Sequence, residues 1–170
     1  MSRFVRVLEI TTNSAVLILC CLLGFLVVQN RLGKGIISKV ASPAMVGPQI
    51  NSRLNIPGIN WSKSPKTIVM AISTECHFCS ASMPFYRRLV DAARQKNERV
   101  IAFLPQKKDE SQAYLQDKQI AVDEVLQGSL DSLQVHGTPT LLLVDANGRV
   151  TKSWVGQLPH DIETQVLGEL

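Results

Sequence analysis

The stretch TIVMAISTECHFC, residues 67–79, decides how the rest of the chain is read. It opens on an apolar run of strand length, residues 67–72, in which no position is left for a solvent face. Such a run reads as a strand buried on both sides of its sheet, here expected over residues 67–73. Cys76, His77, Phe78 and Cys79 follow at once as the only CxxC of the chain. A helix beginning at Cys76 offers unpaired N–H groups and a partial positive charge, both of which stabilise a thiolate on that cysteine. Cys79 lies one turn further on, close enough to close a disulfide. A dithiol at a strand-to-helix junction is by its physics a redox site.

Downstream the pattern is regular. Apolar Phe85, Leu89 and Ala92 recur at helical spacing, so a helix is expected from Cys76 to about Gln95. RVIAFL, residues 99–104, reads as a second buried strand, and residues 111–120 as a short helix. A loop containing Gly128 follows. TLLLVD, residues 140–145, is a third strand, Ala146-Asn147-Gly148 a hairpin turn and residues 150–155 a fourth strand. Pro159 introduces a closing helix over residues 160–170. Strand, helix, strand, helix, hairpin and helix in that order imply an α/β domain: a mixed sheet covered on both faces.

Upstream the composition changes. Between Ile10 and Asn30 no residue is charged, and AVLILCCLLGFLVV, residues 15–28, is almost wholly aliphatic. With its flanks this segment is long enough to span a bilayer, so residues 1–30 are expected to hold a transmembrane anchor. A cleaved signal peptide competes with that reading, but the run is long for one and no small-residue cleavage site follows it. Cys20 and Cys21 lie within the span and read as small packing residues. Residues 31–65 hold Pro43, Pro48, Pro57 and Pro65 without sustained periodicity, the composition of a tether, in which Ile56, Ile59 and Trp61 could dock on the domain. The folded domain is expected over residues 66–170.

Charge is divided along the same lines. The chain carries a formal net charge of +4 and a pI near 9.0. Residues 31–66, however, contribute six basic residues and no acid, whereas residues 67–170 hold ten basic against thirteen acidic. Basicity therefore belongs to the tether, which suits contact with anionic lipid or plain solvation and argues against nucleic acid as a partner of the domain. Arg3 and Arg6 on one side of the apolar span balance Arg31, Lys34 and Lys39 on the other, so charge does not orient it.

The succession of elements, with CxxC at the head of its first helix, resembles the thioredoxin fold. Within it the chain is similar to the membrane-anchored, redoxin-like thiol-disulfide oxidoreductases. Several separate positions carry the likeness: Cys76 and Cys79; Pro84, where the family kinks its active-site helix; His136-Gly137-Thr138-Pro139-Thr140 before a strand, where the family has a cis proline facing the dithiol; and Gly156 after the last strand. There are departures too. Glu75 replaces the tryptophan of thioredoxins proper, His77 and Phe78 replace their Gly-Pro pair, and Met70 stands where a buried acid commonly assists proton transfer.

The resemblance implies that Cys76 attacks and Cys79 resolves, and that Thr138 and Pro139 hold an extended substrate. It also implies protein substrates bearing thiols or disulfides, a membrane or soluble thiol redox partner, no cofactor and no resident metal. It places the domain on the extracytoplasmic side of a cytoplasmic membrane. His77 would stabilise the Cys76 thiolate and Glu75 would oppose it, leaving the direction of electron flow open. Phe78 reads as an apolar wall for substrate or as a residue buried against the tether. Two other functions use the same residues. A binding module would use the fold as a platform for a partner, or for copper or zinc held by Cys76, Cys79 and His136 together. A peroxidase would place threonine where Ser73 stands.

Overall fold

A computed structural model describes Pro48 and residues 50–170. The expected anchor, residues 1–30, and the first part of the tether lie outside the described residues. Among those described, no helix is long and apolar enough to cross a membrane.

Five strands form one sheet: β1 Lys66–Ala71, β2 Arg99–Leu104, β3 Glu124–Gln127, β4 Thr140–Asp145 and β5 Val150–Val155, in the spatial order β3-β2-β1-β4-β5. β1 pairs in parallel with β2, and β2 with β3, while β4 runs antiparallel to both β1 and β5. The sheet is therefore mixed. Around it lie α1 His77–Ala81, α2 Met83–Gln95, α3 Lys108–Asp117 and α4 His160–Glu169, with 3-10 turns at Trp61–Lys63 and Leu130–Leu133.

The apolar run of residues 67–72 is buried on both faces because its side chains alternate between two cores. Ile68 and Met70 join Leu89, Val90, Leu141 and Val166 in one core, roofed by α2 and α4. Val69 and Ala71 join Phe103, Leu142, Val144 and Trp61 in the other. Among the described residues, no long helix covers this second core; residues 50–65 and the turn Leu130–Leu133 do. Leu54 and Trp61 are buried there, and Ile56 and Ile59 pack on it partly. The strap is fastened to the β4–β5 hairpin by backbone bonds, Asn51 N–H to Val150 O at 2.7 Å and Leu54 N–H to Gly148 O at 2.8 Å. Gly148, with φ +77°, closes that hairpin, and a Cβ there would meet the Trp61 ring at 2.8 Å.

Three expectations need correction. The single helix over residues 76–95 is two: α1 ends at Ser82, and α2 restarts with Pro84 in its first turn. Proline has no N–H to carry the ladder through, so the helix breaks just before it. The second short helix begins at Lys108 rather than Ser111, its polar first turn carrying Asp109 and Glu110, which complement a helix N-terminus. Finally, the segment ahead of Gly128 is strand β3, held by parallel pairing with β2.

Candidate active site

β1 runs out at Ala71, and the chain crosses residues 72–75 before entering α1 with Cys76 as its N-cap, at φ −87° and ψ 112°. The cap group is the sulfur: Cys76 Sγ accepts the Cys79 N–H at 3.1 Å. This is the arrangement in which a hydroxyl or carboxylate usually caps a helix, with sulfur in its place. Cys76 and Cys79 are disulfide-bonded, their Cα atoms 5.2 Å apart. Cys76 is half-buried, whereas Cys79 is wholly buried in the core beneath α2. Only the first sulfur can be approached from solvent.

The segment of residues 136–140 comes to the same place from β4. Thr138 O lies 3.4 Å from Cys76 Sγ, and the Thr138-Pro139 peptide is cis. Thr140 Oγ1 donates to Gly137 O at 2.8 Å, and the Gly156 N–H donates to Pro139 O at 2.7 Å. Gly156 has φ +85°, a conformation open to glycine at little cost. The loop opposite the dithiol is thus pinned from both sides, with Pro139 buried and Thr138 half-buried.

Around the sulfur, Glu75 and His77 are both exposed. Phe78 is 54 % exposed, and its ring meets His77 edge-on with centroids 5.8 Å apart. Together with Gly156, Leu158 and Pro159 it lines a shallow apolar depression beside the dithiol. His136 is exposed, two residues ahead of Thr138. Among the described residues, no group of three or more His, Cys, Asp or Glu side chains is placed to hold a metal ion. Met70 is fully buried in the same core as Cys79 and offers no proton acceptor. Tyr86 is also in that core, and burial pushes its phenol well above the ordinary range, so it stays protonated.

One side chain at this site carries no signal in the sequence. Gln106, two residues beyond β2, donates through Nε2 to Ser73 Oγ at 2.9 Å and accepts the Thr74 N–H at 3.4 Å. Ser73 Oγ also accepts the Glu75 N–H at 3.3 Å. The two Gln106 contacts span 32 and 33 residues of chain, so no motif or spacing announces them.

The solved structures similar to this one share its fold at low identity. A thiol-disulfide isomerase from Corynebacterium glutamicum matches with a TM-score of 0.54 and 15% identity over 75% of this chain and 97% of its own. A thiol:disulfide interchange protein from Bacteroides sp. gives 0.53 and 19%, over 71% of this chain and 85% of its own. The thioredoxin domain of a thiol-disulfide oxidoreductase from Bacteroides vulgatus gives 0.55 and 16%, over 74% and 98%. No curated protein sequence matches the chain. The model of the thioredoxin-like domain matches residues 61–170. By that match, over a sheet with the dithiol at the end of its central strand, the chain belongs to the thioredoxin-like domain family.

Proposed function

We propose that the protein is a thiol-disulfide oxidoreductase that exchanges its Cys76/Cys79 pair with cysteines of protein substrates. One observation carries the reading: Cys76 Sγ is capped by the Cys79 N–H at 3.1 Å on one side and faces Thr138 O at 3.4 Å on the other. A sulfur so placed is stabilised as a thiolate and stands beside backbone able to pair with an extended peptide.

In the reducing direction the Cys76 thiolate attacks one sulfur of a substrate disulfide. The Cys76–substrate S–S bond forms, the substrate bond breaks, and the other substrate sulfur leaves as a thiolate. Cys79 then loses its proton and attacks Cys76 Sγ. The mixed disulfide breaks, the substrate's second thiolate leaves, and the Cys76–Cys79 bond forms. Two electrons have passed to the substrate, which takes up two protons as its thiols form. The steps reversed oxidise a substrate dithiol. A thiol partner of lower or higher potential resets the pair.

The apolar segment of residues 15–28 supports a single-pass anchor. Together with the family likeness it supports a domain on the extracytoplasmic side of a cytoplasmic membrane. A reporter active only outside the cytoplasm, fused to Leu170, tests that side.

The chemistry is tested with insulin. Cys76→Ser is expected to abolish reduction of insulin disulfides, and Cys79→Ser to accumulate mixed disulfides through Cys76. Turnover unchanged in Cys76→Ser would overturn the proposal.

A further inference from the structure

We propose that Gln106 is a positioning residue that holds the approach to Cys76 in the geometry that makes its sulfur reactive. The proposal rests on the dithiol reading above and extends it to what keeps the sulfur in place. Ile72 makes the last ladder-like bond of this strand, its N–H donating to Phe103 O at 3.1 Å. Residues 73–75 then cross from sheet to helix with Ser73 and Thr74 half-exposed, Glu75 exposed and no apolar anchor of their own. Apart from the turn bond of Cys76 N–H to Ser73 O at 3.3 Å, their hold on the fold is polar.

That hold converges on one amide. Gln106 Nε2 donates to Ser73 Oγ at 2.9 Å, while Gln106 Oε1 accepts the Thr74 N–H at 3.4 Å. A primary amide both donates and accepts from one planar head without carrying charge. Gln106 is held in turn, since Ser111 Oγ on α3 donates to its backbone carbonyl at 3.4 Å. Thr74 Oγ1 donates to Glu110 Oε1 on the same helix at 3.2 Å. α3 thus grips the three residues before the nucleophile through Gln106 and Glu110.

The sulfur keeps the Cys79 N–H only while Cys76 keeps its N-cap conformation. When the approach slackens, the thiolate loses aligned donation and the thiol pKa rises. Fewer molecules then attack at neutral pH, and the reduced pair loses stabilisation, so its disulfide becomes less oxidising. The charged and titratable groups around the sulfur are the Cys79 thiol, Glu75 and His77 beside it, Tyr86 in the core below, Tyr114 and Glu110 on α3, and His136 ahead of Thr138. None of them is altered in the variants below.

The test uses the reduced full-length chain and follows iodoacetamide alkylation of Cys76, localised by tandem mass spectrometry, from about pH 5 to about pH 10. Removing two hydrogen bonds in Gln106→Ala is expected to slow alkylation at neutral pH by about tenfold. The titration midpoint should move upward, and the limiting rate at high pH should stay the same. Gln106→Glu loses the donor and adds a negative charge, so its midpoint should rise at least as far. Ser73→Ala removes the acceptor from the other side and should move the midpoint the same way, while Ser73→Thr keeps the hydroxyl and should behave as the wild type. A merely structural role would lower the thermal midpoint and leave the titration where it was. An unmoved titration in Gln106→Ala, or in Ser73→Ala should the former not fold, overturns the proposal. Insulin reduction by the wild type is read separately. Its absence would remove the proposed function while leaving the thiol titration as evidence on Gln106.

Discussion

The two ends of the central sheet are held by different forces. Where β1 and β2 finish, the contacts are hydrogen bonds among loops, one of them from Thr74 onto the Glu110 carboxylate, and among the described residues no ion pair involves residues 73–80 or 136–139. Where the same strands begin, charge closes the structure. Arg99 pairs with Glu124 and donates to Asn60 O at 3.0 Å, Lys66 lies 3.7 Å from Glu98, and Lys66 and Lys96 donate to the carbonyls of Glu169 and Leu170 at 2.6 and 2.8 Å. Strap, strands and C-terminal helix are joined there, and Trp61 is buried in the core under the strap. The reactive end is held mainly by hydrogen bonds among loops, while the far end adds paired charges. Stability and reactivity should therefore separate on mutation.

The largest effect is at the dithiol. Cys76→Ser should lose all disulfide exchange yet unfold in urea like the reduced wild type, within about 0.5 kcal/mol, because serine is itself a favourable N-cap. The reverse separation is expected at the far end. Trp61→Ala should cost about 3–5 kcal/mol of stability, read from urea unfolding, and leave the insulin-reduction rate per folded molecule unchanged. Gly148→Ala should cost about 1–2 kcal/mol, from the positive φ and from contact with the Trp61 ring. Arg99→Ala should cost about 1 kcal/mol, as its partners are only partly screened.

The smallest effect is one of pH. Backbone N–H groups of Arg149 and Asn147 hold the Asp145 carboxyl below its ordinary range. A lowered folded value means stability present above the unfolded pKa of about 3.9 and lost as pH falls through the folded one. Asp145→Asn should flatten that acid limb of the urea-unfolding profile. A loss of exchange activity in any far-end variant at full folding would break the contrast between the two ends.

What the sequence made legible follows the same division. Residues 99–104, 140–145 and 150–155 coincide with β2, β4 and β5, because the buried apolar runs of β2 and β4 and the hairpin glycine ahead of β5 leave strong local signals. β3 was hidden: Glu124–Gln127 is four residues long, only Val125 is buried, and parallel pairing with β2 makes it a strand. The split at Ser82 was half visible, since Pro84 marks a kink but not that the ladder stops. The CxxC, Thr138 and Pro139 could be picked out as motifs. Gln106 could not, because its partners lie 32 and 33 residues away in the chain and an isolated glutamine has no pattern.

The strap has a further consequence, for the edges of the sheet. An open sheet exposes unpaired N–H and C=O groups on its outermost strands, an invitation to a second copy. Here one outermost strand, β3, is four residues long and begins with Glu124. The other, β5, already has its first residue bonded to the strap, Val150 N–H to Ser52 O at 2.9 Å, and carries Lys152 midway. Neither offers a long, flat, uncharged template. Copies crowded at high local density would meet edges that resist strand-to-strand aggregation.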